Sequence, residues 1–205
     1  MTNTSYKENI QMKNYSGFTL SNEHDISATH QPCLIWAIEN SIGDVLELGT
    51  GNFSTDLVHH MLKDVDRKIV SVEDDAEWMN KFTHNKTEKH QFHIIERSVE
   101  SWKTVVDEYC KRKWGVVFVD QGWGEEIWRP ARNYSVQQLV NCSDFVVAHD
   151  ADIFPEMQKE DYNWIEYVPS VCVDHSRRGP STYVISKTRS KEFLLNCFAQ
   201  EREIV

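Results

Sequence analysis

Along the chain, short and nearly continuous apolar runs alternate with longer stretches of helical periodicity. The runs are DVLEL (44–48), KIVSV (68–72), FHIIE (92–96), WGVVFVD (114–120) and DFVVAHD (144–150). Helical patterns lie between and after them, over Thr55 to Leu62, from Ala76, over Ser101 to Tyr109 and over Arg129 to Leu139. Strands this apolar and β-branched, separated by helices, predict a parallel sheet covered on both faces. Upstream, QPCLIWAIEN (31–40) sets Leu34, Ile35 and Ile38 on one side of a short helix, with Pro32 in its first turn. Downstream, WIEYVPSVCVDH (164–175) and STYVISK (181–187) flank the turn-rich stretch Ser176 to Pro180 and predict an antiparallel pair. The expected fold is α/β, a three-layer, doubly wound, Rossmann-like sheet, mostly parallel with a C-terminal antiparallel hairpin. Residues 1–25 lack periodicity and read as an N-terminal arm or lid, and residues 26–205 as a single domain.

Composition narrows the class. At 205 residues and 40% hydrophobic content, the chain can bury one substantial core but not two ordinary catalytic domains. Its apolar runs fall far short of the roughly 20 residues needed to span a bilayer, so no membrane partner is expected. The N-terminus resembles neither a signal nor a transit peptide, and the expected location is cytoplasmic. Five scattered cysteines without C-x-x-C read as free thiols. A net charge of −10, with no basic cluster longer than Lys111-Arg112-Lys113, disfavours duplex nucleic acid.

The candidate chemistry begins at Glu47-Leu48-Gly49-Thr50-Gly51-Asn52-Phe53-Ser54, between the first strand and the first helix after it. Glycines there let the backbone approach a ligand, and a helix N-terminus offers unpaired N–H groups to a carboxylate. A dinucleotide site calls for G-x-G-x-x-G, yet Ser54 stands at the third glycine position. Glu73 closes the second strand, where an acidic residue accepts hydrogen bonds from ribose hydroxyls. Asp74 and Asp75 follow at once, and any of the three carboxylates could instead cap the next helix.

The E-x-G-x-G pattern of Glu47, Gly49 and Gly51 resembles the first motif of class I S-adenosylmethionine-dependent methyltransferases, whose loop wraps the methionine part of the cofactor. The resemblance implies a single methyltransferase domain that binds S-adenosyl-L-methionine through Glu47, Gly49, Gly51, Ser54 and Glu73. It also points to Ser98, Val99 and Glu100 for adenine, although Glu100 equally suits a helix cap. Trp102 either stacks near the adenine or packs.

Asp120 ends the fourth strand, and His149-Asp150 end the fifth, on the rim where parallel strands present their C-termini. Val117 to Asp152 resembles the small O-methyltransferases of the catechol and macrolide-sugar types. That resemblance implies Asp120, His149 and Asp150 as catalytic residues, with Asp120 also beside the cofactor, and as ligands of Mg²⁺ or Mn²⁺. Two departures stand out: His149 replaces a hard oxygen ligand, and Trp123 occupies the place of that family's lysine. Without a metal, His149 or Asp120 would be the general base; His149 could also be a structural histidine.

Gln121 to Trp128 reads as an acceptor loop, with Trp123 and Trp128 offering flat faces to a sugar or aromatic ring, alongside His149. Arg129 and Arg132 could orient an anion or simply be solvated, and Asp174 to Arg178 could close the pocket. The expected reaction is O-methylation of a carbohydrate or glycan hydroxyl. A phenolic or other small-molecule hydroxyl is the alternative, as is a domain that binds the cofactor without catalysis. No N-P-P-Y-like tetrad follows the fourth strand, which disfavours methylation of a base amino group.

Overall fold

Seven strands form one sheet in the order β3-β2-β1-β4-β5-β7-β6. The computed structural model describes residues 26–122, 124–150, 161–168 and 180–199. The strands are β1 (Val45–Leu48), β2 (Ile69–Glu73), β3 (His90–Ile94), β4 (Trp114–Val119), β5 (Ser143–Ala148), β6 (Asn163–Tyr167) and β7 (Thr182–Ser186). The helices are α1 (Gln31–Glu39), α2 (Thr55–Leu62), α3 (Ala76–Asn80), α4 (Val99–Tyr109), α5 (Glu125–Leu139) and α6 (Lys191–Ala199). The expected lid at 1–25, the turn at 176–179 and Trp123 lie outside the described residues.

β1 to β5 run parallel, whereas β7 lies antiparallel to both β5 and β6. The predicted hairpin is present, with its second strand docked on β5 and its first at the sheet edge. The period of two along each strand divides the core. Leu46, Leu48, Val70, Val72, Val117 and Val119 pack with Trp102 and Val106 of α4 and Val136 and Leu139 of α5. Val45, Ile69, Val116, Phe118, Phe145 and Val147 pack with α1, α2 and Leu194 of α6. Two apolar faces, each under helices, make the three layers.

Several boundaries differ from expectation. β3 starts at His90 rather than Phe92 because His90 pairs with Ile69, and as an edge strand it leaves Ile94 48% exposed. α4 begins two residues early because the Ser98 side chain caps it, accepting from the Ser101 N–H. α5 begins at Glu125, with Pro130 inside it and Gly124 at its N-cap with φ 76°. No helix among the described residues is long and apolar enough to cross a membrane.

Candidate active site

The chain order reverses between β1 and β4, so the loops leaving these two strands splay apart and open a crevice at the carboxyl rim. Gly49 begins the first loop at φ 89°. A Cβ there would land on the Asp120 carbonyl, so the β1 and β4 loops touch through a position open only to glycine. The Gln31 amide donates to the Phe53 carbonyl at 2.9 Å, which ties α1 to the same loop.

Two buried glutamates hold that loop from opposite sides. Glu47 accepts from Thr55 Oγ1 at 3.0 Å and Ser71 Oγ at 2.5 Å beneath the loop. Burial raises its pKa and the Ser71, Ser54 and Thr55 hydroxyls lower it, leaving it near 7. Glu73 accepts at Oε2 from the Thr50 N–H and hydroxyl (2.8 and 2.9 Å), and at Oε1 from the Asp74 and Asp75 N–H groups (2.8 and 3.2 Å). Burial, only partly offset by these donors, raises its pKa. Glu73 therefore binds the β1 loop to the β2 loop, and a ribose hydroxyl would have to share oxygens that already accept four donors.

The next acidic residues have other work. Asp75 caps α3 by accepting from the Trp78 N–H at 2.9 Å, and Asp74 Oδ2 accepts from the buried Trp102 indole at 3.0 Å. Arg97 reaches both carboxylates. Trp102 therefore packs inside the fold, while the Trp78 indole donates to the Thr50 carbonyl at 2.7 Å beside the glycine loop.

Asp120, His149 and Asp150 converge, as expected, around an arginine. The Arg132 guanidinium lies 2.8 Å from Asp120 Oδ1 and 3.0 Å from Asp150 Oδ2, and also donates to the carbonyls of Gln121 and His149. Asp150 adopts φ 52°, a backbone strain of the kind that collects at functional sites. His149 Nδ1 lies 3.4 Å from Asp120 Oδ2, an ion-pair separation that falls short of hydrogen-bond geometry.

Burial alone would raise the Asp120 pKa, but the Arg132 and His149 charges reverse it and hold the carboxyl at about 2. For His149, burial lowers the pKa, whereas Asp120 and then Asp150 outweigh it and leave it raised. His30, from the N-cap of α1, stacks edge-on against His149 with ring centroids 4.7 Å apart. Burial and the neighbouring His149 push its pKa down to about 3, against the pull of Asp120.

No family model and no curated protein matches the sequence significantly. Solved structures do match. The O-methyltransferase from Bacillus cereus in complex with SAH aligns with TM-score 0.52 and 12% identity, over 79% of this chain and 82% of that one. A Klebsiella pneumoniae protein assigned as an O-methyltransferase aligns with TM-score 0.53 and 12% identity, over 82% and 86%. The plantazolicin methyltransferase BamL, solved with a desmethyl analogue and SAH, aligns with TM-score 0.50 and 9% identity, over 85% and 88%. The fold is that of the class I methyltransferases.

Within this methyltransferase fold, Gly49, Gly51, Glu73, Asp120, His149 and Asp150 share the rim, with Glu47 and Ser54 buried beneath it. Ser98 and Val99 stand at the start of α4, where the Ser98 hydroxyl already serves as the cap. Trp128 is half-buried, with the guanidinium carbons of Arg132 and Arg129 at 5.1 and 5.7 Å from its ring centre. Sequence reasoning left Arg132 open between orienting an anion and being a solvated charge, and passed over His30, Thr29 and Thr50. The signal for Arg132 was its place on α5, behind an acidic strand end. His30 gave none, since only tertiary folding carries the α1 N-terminus over β4 and β5.

Proposed function

We propose that this protein is an S-adenosyl-L-methionine-dependent O-methyltransferase. One observation carries the reading: the E-x-G-x-G loop, with Gly49 at positive φ, sits at the switch point of a methyltransferase fold, directly against Asp120. Gly49 and Gly51, at the N-terminus of α2, would hold the cofactor's methionine part, and Glu73 would hold its ribose by exchanging a loop donor for a ribose hydroxyl.

The acceptor centre is the Asp120–His149 pair. The Asp120 side chain is 26% exposed whereas that of His149 is 6% exposed, so an incoming hydroxyl meets Asp120 first. Alkyl hydroxyls ionise far above neutrality, and direct displacement at the methyl carbon needs a base that takes the proton as the bond forms. Asp120 orients the hydroxyl, and the proton comes to rest on His149 Nδ1, whose affinity for it the Asp120 and Asp150 charges raise. Arg132 keeps Asp120 ionised.

The preferred acceptor is a carbohydrate hydroxyl, supported by the acidic chain and the tryptophan-bearing loop after β4. A phenolic or other small-molecule hydroxyl is the second reading, in keeping with the likeness to structures described as O-methyltransferases. Incubation with methyl-labelled S-adenosylmethionine and parallel panels of sugars, glycosides and catechols tests the proposal. Label in an ether of one panel, lost in Asp120→Ala, is expected; label on nitrogen, or full transfer by Asp120→Ala, would reject the assigned centre.

A further inference from the structure

We infer that His30, Asp120 and His149 form a binding site for a divalent transition-metal ion of borderline softness, such as Zn²⁺ or Co²⁺. One ligand atom from each of the three lies within 4.8 Å of the other two, and they are the one such cluster among the described residues. Asp150 is not part of the cluster: its Oδ2 faces Arg132 at 3.0 Å, and its Oδ1 stays 3.8 Å from His149 Nδ1. The guanidinium already supplies the positive charge between Asp120 and Asp150. The oxygen-rich arrangement that would suit Mg²⁺ is therefore taken by an internal cation, and the free donors lie on the other side of Asp120, where two are imidazoles.

The hydrogen-bond inventory points the same way. His30 is 2% exposed, and neither ring nitrogen makes a hydrogen bond of good geometry, the Phe53 backbone being its polar neighbour; buried His149 Nδ1 has carboxylate oxygens only at ion-pair distance, 3.4 Å to Asp120 and 3.8 Å to Asp150. Buried polar atoms without partners are rare, and a bound ion would supply one for these nitrogens. The tautomer of His149 supplies an independent reason. Thr29 has one hydroxyl hydrogen, and Thr29 Oγ1 lies 3.0 Å from the Pro180 carbonyl, which can only accept. Thr29 Oγ1 therefore accepts from His149 Nε2–H, 3.1 Å away. That bond leaves Nδ1 facing Asp120 Oδ2, 3.4 Å away, a place for a positive charge that either a second ring proton or a metal ion in its stead can fill. Thr29 thus does for His149 what outer-shell acceptors do for metal-bound histidines, fixing the donor nitrogen. One histidine precedes α1, the other follows β5, and the aspartate follows β4, so the site closes only in the folded chain.

The site goes beyond the methyl-transfer reading and bears on it, because an ion on His149 Nδ1 occupies the lone pair that would take the acceptor proton, and its test reads the ion directly. The full chain, stripped with a chelator, is titrated with Co²⁺ while its visible absorption is followed, and with Zn²⁺ by calorimetry. Binding of one ion per chain is expected, with ligand-field bands from Co²⁺, displacement by Zn²⁺, and no displacement by excess Mg²⁺. His30→Ala and His149→Ala each weaken Co²⁺ binding by about 10- to 100-fold or more, whereas Asp150→Asn stays within about threefold. His30→Phe, which keeps the contact with Phe118, replaces His30→Ala if the latter loses the wild-type circular dichroism. Absence of bands and heat would overturn the site. Equal loss in Asp150→Asn and His30→Ala, or undiminished binding without His30, would overturn its ligand set. Cofactor binding without ion binding would refute this inference and leave the methyltransferase reading intact.

Discussion

Glu47 carries the clearest chemistry of any single side chain in the fold. Its carboxyl is fully buried, and its pKa near 7 means that the native state holds a proton that the unfolded chain releases at lower pH. The stability associated with that proton is complete below the ordinary glutamate value of 4.5 and is lost as pH rises toward about 7. His30 and His90, both lowered to about 3, act in the opposite sense on acidification, so the informative quantity is the difference between variant and wild type. Glu47→Gln should gain melting temperature relative to wild type on going from about pH 5 to about pH 8; parallel melts with an unchanged difference would contradict the burial account. Asp120 makes a second prediction at this scale. Asp120→Ala should abolish turnover and leave cofactor affinity within about threefold, because the proposed mechanism assigns its carboxylate to the acceptor and the donor to other groups. Asp120→Asn should lower the His149 pKa in an NMR titration, since the Asp120 charge is the principal influence holding it up.

Among the elements, loops rather than strands decide the site. The loop between α1 and β1 is held by Arg67, which donates to the carbonyls of Gly43, Ile38 and Ser41 and to the Ser41 hydroxyl. Arg67→Ala leaves those buried acceptors without a partner and should cost about 2–4 kcal/mol in denaturant unfolding. A loss below 0.5 kcal/mol, within the usual scatter of surface substitutions, would show that water replaces the guanidinium freely. Gly49→Ala meets both a positive φ, worth about 1–2 kcal/mol, and the Asp120 backbone, so it should weaken cofactor binding more than Gly51→Ala. Near-equal affinities of the two variants, measured by calorimetry, would contradict the loop contact.

Across the whole molecule, the sheet could be read from the chain because each central strand is apolar on both faces, a pattern that parallel strands under helices require. β1, β2 and β4 follow that pattern and fall within a residue of expectation, as do α1 and α2, while β5 follows it and ends two residues early. β3 slipped because an edge strand carries polar residues, and its pairing with β2 rather than its composition sets its start. The rim's candidate residues were legible where they end or directly follow a strand, as at Glu73, Asp120 and His149. It was hidden where a residue far away in sequence enters the site from another element. His30 and Arg132 arrive that way, one from α1 and one from α5, and no local period marks them. The site depends on this convergence of two loops, two helices and the reversal of strand order.

Calorimetric titration of the full chain with S-adenosylhomocysteine, the demethylated product, tests the central claim most directly. The account predicts binding at one molecule per chain, weakened at least about tenfold in Glu73→Ala, which removes the ribose acceptor. No heat with either S-adenosylhomocysteine or S-adenosylmethionine, from a chain with native circular dichroism, would contradict it.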